Sequence, residues 1–505
     1  MHACLYVDEI IRLIACELVG SRANATTVAL ACCRKNFEDP ALDSLWETQE
    51  ELLPLFKSLP GDVWNDDRCT VSVSTKRVFS SLNCLVWKSF RRLPTPAEWA
   101  RFKKYARNIR HLGEWVDLDD LPSRMSSILQ FRSANNDGEP LLPNLKTLML
   151  GPATPELIPF IPSLLSPRIT GIDVMFETSD LPKAMLISMI STFSTLRPNL
   201  EFISLDPLPR DPAITAAVSR MFLASNRDTL RRFHVDSPLT EEAREVIYKL
   251  PDLSELSMVV ERDNFLSPVV LPGLTKLHIT LNHSSDWLQE FRGAAFGKLE
   301  AVSFHCRSEQ IGDILEAFER VALAASVQNT LSEFNLRSSF SWHPNYYSLL
   351  PFTHLTVLTV GFSCDDGCSS TVDDDIITNI ARSMPRLVML RLGEPPCQTP
   401  TGVTAKGLTL LAHHCPDLQF LCIHFQVASL GAPPAVTEVA SDVDPTALRR
   451  NYTLTVLEVG EIPVSVKSVP MTAMTLSHIF PCLAYVDENA DENWGLVMNV
   501  IRIFR

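Results

Sequence analysis

One apolar pattern recurs along most of this chain: an apolar residue, a second three positions later, and a third two after that. Copies stand at Leu145/Leu148/Leu150, Ile169/Ile172/Val174, Leu200/Ile203/Leu205, Leu230/Phe233/Val235, Leu253/Leu256/Met258 and Leu274/Leu277/Ile279. They continue at Leu299/Val302/Phe304, Leu331/Phe334/Leu336, Leu355/Leu358/Val360, Leu387/Leu390/Leu392, Leu418/Leu421/Ile423 and Leu454/Leu457/Val459, with Leu483 and Val486 as an incomplete last copy. The starts fall 21 to 36 residues apart, a period that belongs to stacked repeats rather than to one sandwich or barrel. The second and third members are two residues apart, so they project to the same side of a strand. Strands repeated in one direction need crossovers of about a dozen residues or more, usually helices. Ile376, Ile377, Ile380 and Ala381 line one face of such a helix ahead of Pro385, and Leu408, Leu411 and Ala412 do so ahead of Pro416. Asp375 and Thr404 are the expected N-caps, and a proline stops each helix. The pattern predicts an α/β solenoid over 95–490, parallel strands inside and helices outside, whose core exists only through stacking.

Two further patterns precede the repeats. Thr95 as N-cap, Pro96 at the first helical position and Glu98 closing a capping box predict a helix start. Trp99, Phe102, Ala106 and Ile109 then line one face, and with Leu112 they form a unit able to shield the end of a repeat stack. In residues 5–46, Ile10, Leu13, Ile14 and Leu18 form the stripe of a first amphipathic helix. Asn24 to Thr27 offer caps for a second helix containing Val28, Leu30, Ala31 and Cys32. Asp39-Pro40 is the expected cap of a third, with Leu42, Leu45 and Trp46 on one face. About forty residues cannot sustain an independent core, so the stack or a partner must cover these helices. The expected organisation is a helical module at 1–50, a linker and packing segment at 51–94 containing "LLPLFKSLPGDVW", the solenoid at 95–490, and a C-terminal tail or cap at 491–505.

The segments "LTLLAHHCPDLQFLCI" (Leu408–Ile423) and "ITNIARSMPRLVMLRL" (Ile377–Leu392) resemble leucine-rich repeats of the longer, helix-containing kind with a Cys-Pro-x-Leu step. That resemblance covers about three quarters of the chain. The N-terminal module resembles an F-box through Leu5, Glu9-Ile10, Cys33-Arg34, Phe37, Asp39-Pro40-Ala41-Leu42 and Leu45-Trp46; it departs at Tyr6-Val7, where the family carries a proline. The order of parts is similar to that of F-box/leucine-rich-repeat proteins abundant in mushroom-forming fungi. The resemblance implies a substrate-recognition subunit that binds a Skp-type adaptor protein and, through it, a cullin–RING ubiquitin ligase. Its adaptor-facing residues are then Leu5, Ile10, Leu13, Ile14, Leu30, Pro40, Leu42, Leu45 and Trp46, several of which must instead pack the helices together. In the alternative, the helices simply cap a leucine-rich-repeat interaction scaffold that has no ligase association.

Strand residues between the inward ones point to the opposite face of the sheet. This places Arg232, His234, Lys276, His278, His305, Asn335, Arg337, Arg391, Phe420 and His424 on the face expected to meet an unknown protein substrate. Asp173, Asp206, Asp236, Glu255, Glu333 and Glu458 share it. Two readings stand: a basic stripe that recognises an acidic or phosphorylated segment, or strand positions that are polar because they are solvated. The cluster Arg101, Lys103, Lys104, Arg107 and Arg110 is expected to be a solvated helix face. The loops Ser363–Asp375, Gly393–Lys406 and Val427–Pro445 exceed a minimal turn and are expected to project from one rim.

Composition narrows the function classes. A net charge of −14 over 505 residues argues against a nucleic-acid binder, which needs a basic footprint. Asp8, Glu9, Arg12 and Glu17 interrupt the first apolar stretch, unlike a signal peptide. The longest uncharged apolar run, Ala184 to Leu196, is too short to span a bilayer. No membrane association is therefore expected, and the expected location is cytoplasmic and/or nuclear. The sequons at Asn24, Asn282 and Asn451 then read as chance matches, and thirteen scattered cysteines fit a reducing compartment. Cys364 and Cys368 lack a second pair at ligand spacing, so no metal site is expected there. Asp117, Asp119 and Asp120 read as a capped turn. P-loop, dinucleotide-glycine, nucleophile-elbow and zinc-protease patterns are missing from the sequence. His413-His414-Cys415 reads as a helix end complementing the helix dipole. The expectation is a binding protein, not an enzyme, with no catalytic residues and no cofactor.

Overall fold

The computed structural model describes residues 7–504 except 22, 67–86, 115–120, 135–137, 154, 156, 177–180, 197–198, 210, 219–222, 224, 261–268, 282–289, 292, 308–313, 341–343, 363–371, 394–401, 432–449, 460–461 and 487–491. The chain divides into two compact units, Met1–Leu250 and Pro251–Arg505. Leu5, Asn282, the Asp117–Asp120 turn, the Cys364/Cys368 segment and most of the three long loops lie outside the described residues.

The first unit opens with helices α1 (Asp8–Gly20), α2 (Asn24–Cys33) and α3 (Lys35–Glu47). The residues of α1 that are buried are Ile11 and Ala15, not the expected stripe of Ile10, Leu13, Ile14 and Leu18. This helix is apolar around most of its circumference, and its neighbours cover only one stripe of it. Nor does Asp39-Pro40 cap α3. The helix starts at Lys35 after an extended Arg34, and Pro40 lies inside it. Phe37, Pro40, Ala41 and Ser44 form its buried face at the i, i+3, i+4, i+7 spacing, so packing overrides the local cap signal. Strand β1 (Thr48–Gln49) follows, then α4 (Leu53–Phe56) and the antiparallel pair β2 (Trp64–Asp66) and β3 (Trp87–Phe90). Next come α5 (Pro96–Ala106), β4 (His111–Glu114), α6 (Leu121–Ala134), β5 (Thr147–Ala153), α7 (Ile161–Leu164) and β6 (Gly171–Phe176). The unit closes with α8 (Lys183–Leu196), β7 (Phe202–Asp206), α9 (Pro212–Ala217), β8 (Arg232–Pro238) and α10 (Glu241–Tyr248). Strands β1, β4, β5, β6, β7 and β8 pair in that order, all parallel.

The second unit runs β9 (Glu255–Val260), β10 (Val270–Leu271), β11 (Lys276–Leu281), β12 (Ala295–Phe296), β13 (Ala301–Cys306), α11 (Ile314–Ala324), β14 (Glu333–Ser338) and β15 (Val357–Phe362). It continues with α12 (Asp374–Ser383), β16 (Met389–Leu392), α13 (Ala405–His414), β17 (Phe420–Ile423), β18 (Val456–Glu458), α14 (Val469–Ile479), β19 (Tyr485–Val486) and α15 (Glu492–Phe504). Apart from the separate β10–β12 pair, its strands form one parallel ladder in sequence order. Each unit is thus α/β, built on a parallel-strand sheet with helical crossovers, as the apolar period predicts.

Every member of the twelve complete apolar triplets, and both residues of the last copy, is buried. Period length decides the crossover. Where successive starts lie 29 to 32 residues apart, the crossovers are the helices α8, α9, α11, α12, α13 and α14. Where they lie 21 to 25 apart, the described crossovers hold the short helices α7 and α10, a 3-10 turn at Tyr346–Leu349, or the strands β10 and β12. The expectation of helices between copies therefore holds for most spacings and fails among the described residues where β10, β12 or a 3-10 turn stands instead, as in the 36-residue spacing after Leu418, which shows the 3-10 helix Val427–Gly431.

Hydroxyls tie neighbouring copies. Thr229, Thr330 and Thr453, each just before a repeat leucine, donate to the carbonyls of Leu200, Leu299 and Leu418 at 2.9, 2.7 and 2.9 Å. The Cys415 thiol donates to the carbonyls of Met384 and Ala381 at 3.6 and 3.7 Å. These oxygens are among those left without intrahelical partners at the end of α12, which gives the Cys-Pro-x-Leu step a physical role. Burial holds that thiol neutral, its pKa pushed up to about 12.

Candidate functional site

The capping unit forms as expected. Thr95 accepts from the Glu98 amide at 3.4 Å, and Glu98 accepts from the Thr95 amide at 2.7 Å. Arg92 clamps this corner by donating to Glu98 and Asp62. Its hydrogen bonds, with those from Thr95, pull the Glu98 carboxyl down to about 2. Beneath it, segment 51–94 contributes Phe56, Trp64 and Phe90 to an aromatic cluster with Trp99 and Phe131. The basic residues of α5 are not simply solvated. Lys104 pairs with Glu38 and Asp39, Arg107 with Glu139, and, just beyond the helix, Arg110 pairs with Glu47. Together with Trp46, stacked on Tyr105 at 4.8 Å, the Lys104 and Arg110 pairs hold α3 against α5 and the residues that follow it.

That arrangement sorts the candidate adaptor-facing residues. Pro40 is buried, and Ile10, Leu30, Leu42, Leu45 and Trp46 are half-buried. Leu13 is 70% exposed and Ile14 39%. Val7 and Val28, which the sequence reading left out, are also exposed. Val7, Ile10 and Ile14 are spaced i, i+3, i+7 and so share one side of α1. Arg12 pairs with Asp43 at 3.1 Å and fixes the roll of α1 on α3.

The second candidate surface is the outward face of the strands. In the first unit Arg232 is exposed, with its guanidinium 4.5 Å from the Phe202 ring centroid, and His234 is half-buried. In the second unit the register aligns rows across the strands. Lys276, His278, His305 and Arg337 are exposed and Asn335 half-buried. Lys276 pairs with Glu255 at 3.4 Å on the neighbouring strand. Arg391, Cys422 and Glu458 are successive register partners, and Arg391 reaches Glu458 at 2.9 Å. Its side chain therefore crosses the β17 strand, passing 5.2 Å from the Phe420 centroid over Cys422, which is buried.

His424 does not belong to this face. It is only 5% exposed, because β17 ends at Ile423 and the period-two alternation ends with it. Burial lowers its pKa. Sequence reading also missed an apolar row at the first outward position: Val357, Met389, Phe420, Val456 and Tyr485 are successive register partners across β15–β19. The signal was present, since the residue just before the second triplet member is large and apolar in each of the last five copies, where Arg232, Glu255, Lys276 and Glu333 stand in earlier ones.

Fold and surfaces together define a class, an α/β chain of stacked parallel strands with a three-helix module at its N-terminal side. No protein-family model matches the chain, and no curated protein is significantly similar to it. Among the described residues no helix is long and apolar enough to cross a membrane.

Proposed function

We propose that this chain is the substrate-recognition subunit of a Skp–cullin–F-box type ubiquitin ligase, its N-terminal helices docking on a Skp-type adaptor and its leucine-rich-repeat strand face holding a target protein. One observation carries the reading: the three-helix module leaves Val7, Leu13, Ile14 and Val28 exposed, although its inward side is already covered. Isolated exposed apolar residues are ordinary, whereas several on one small module mark an interaction surface. The F-box resemblance names the partner.

The test is co-expression of the full chain with a Skp-type adaptor. Leu13→Asp is expected to weaken the complex by roughly tenfold to a hundredfold, since burying one leucine is worth about 1.5–3 kcal/mol. Trp46→Ala is expected to act through the α3–α5 contact and so to lower the melting temperature as well. Failure of the unsubstituted chain to capture the adaptor sinks the ligase reading. That result would favour the interaction scaffold, to which the missing proline at Tyr6-Val7 already points.

A further inference from the structure

The strand face of the second unit changes character at β15. On β14 the first outward residue is Glu333, which is exposed and pairs with no cation among the described residues. Its register partner on β15 is Val357, and the same row runs on through Met389, Phe420 and Val456 to Tyr485. The first four of these are half-buried and Tyr485 is 49% exposed. The neighbouring outward positions offer a visitor few hydrogen bonds. Thr359 and Cys422 are buried, and Arg391 and Glu458 hold each other at 2.9 Å. Gly361 and Gly393, the next outward positions on β15 and past β16, bring no side chain.

These features select the form of an occupant. An extended segment lying on the row would give up water from its amides and carbonyls and find few partners in return, a cost for every group left bare. An α-helix brings its backbone hydrogen bonds with it. The spacing agrees. Strands repeat about every 4.8 Å and a stripe along a helix about every 5.4 Å, whereas side chains on one side of an extended chain repeat about every 6.6 Å.

We propose that the row from Val357 to Tyr485 takes an amphipathic α-helix of a target protein, laid across β15–β19, with a Lys or Arg at the end that reaches Glu333. Four strand spacings make about 19 Å, the length of about thirteen helical residues. Glu333 stands one spacing further on, so the cation lies about one helical turn beyond the apolar stripe. The proposal rests on the reading of the strand face as the target-binding surface and adds the form and charge of what it holds.

The probes are labelled peptides of about twenty residues and matched composition, with Leu once per helical turn in one set and at every second position in the other. In both sets a Lys or a Glu stands one turn beyond the stripe, at either end. The full chain is expected to bind the helical set about tenfold tighter or better. Within that set, the best Lys peptide should bind about threefold tighter than its Glu counterpart, the scale of an exposed ion pair. Tyr485→Asp and Met389→Asp should each weaken binding roughly tenfold, with Met389→Gln as the milder variant if the aspartate does not fold. Glu333→Lys changes an exposed position and should reverse the preference for Lys over Glu at an unchanged melting temperature. Equal binding of the two sets overturns the proposal, as does a Lys preference that survives Glu333→Lys. A solution dimer that Tyr485→Asp dissociates overturns it in favour of a second copy of the chain. Adaptor capture is measured on the same preparations. Equal binding of the sets with capture intact removes this inference alone, and a helical preference without capture removes the ligase reading alone.

Discussion

At the scale of single residues, polar side chains between copies join the buried leucines in setting the stack. Asp373 caps α12 by accepting from the Ile376 amide at 2.9 Å, in place of Asp375, which falls within the first turn. Three aspartates stand in a row, and only the backbone shows which one is extended. The middle one, Asp374, reaches the next copy, where it accepts from the amide and hydroxyl of Thr404 and from the Gly407 amide. Gly407 is glycine for this reason, since a Cβ there would collide with the Asp374 carboxylate. Asp374→Ala leaves donors at the start of α13 without a partner and is expected to cost about 1.5–3 kcal/mol, read from urea unfolding. Asn451 is another such residue. It is fully buried, donates to the Cys415 carbonyl at 2.8 Å and accepts from the Leu454 amide at 2.7 Å, so its amide serves the stack. Burial of His424 lowers its pKa from 6.5, and a depressed folded-state pKa means stability that is present above 6.5 and lost as pH falls. His111, His414 and His478 shift the same way, burial being the largest cause in each. The melting temperature should therefore drop from pH 7.5 towards pH 5, and His424→Gln should flatten that slope; an unchanged slope would count against His424 as a contributor.

At the scale of elements, the strands were readable and the N-terminal helices only in part. Every triplet falls on a strand or directly beside its ends because period two in a buried strand has a single solution. The capping box before α5 was readable for the same reason, as Thr95, Pro96 and Glu98 act within one turn. For α1 and α3, a helix apolar on several sides allows more than one buried stripe, and which one forms depends on its neighbours. Trp46 shows the consequence: on the sequence it is one of a set with Leu42 and Leu45, whereas in the fold its ring stacks on Tyr105, more than fifty residues away.

At the scale of the whole molecule, the N-terminal module is not a detachable tag. Its last helix runs into β1, whose Thr48 and Gln49 pair with His111 and Leu112 of β4. Deleting residues 1–50 strips the edge from β4 and the partner from Tyr105, and an exposed strand edge invites aggregation. The truncated chain is expected to melt lower and to aggregate, while full-length Leu13→Asp stays monodisperse at the parental melting temperature. A truncation that stays soluble and equally stable, judged by light scattering and a melting curve, would show that the helices contribute nothing to the first unit. The apolar period, the cap before α5 and the sign of the net charge were determined by sequence alone, because each depends on residues a few positions apart or on a sum over all of them. Which side of α1 stays exposed, which aspartate caps α12, that His424 is enclosed, and that Arg391 reaches across β17 to Glu458 were decided only by tertiary structure. Each of these depends on what lies opposite a residue across a helix interface or one strand over, and neighbours of that kind stand tens of residues away along the chain.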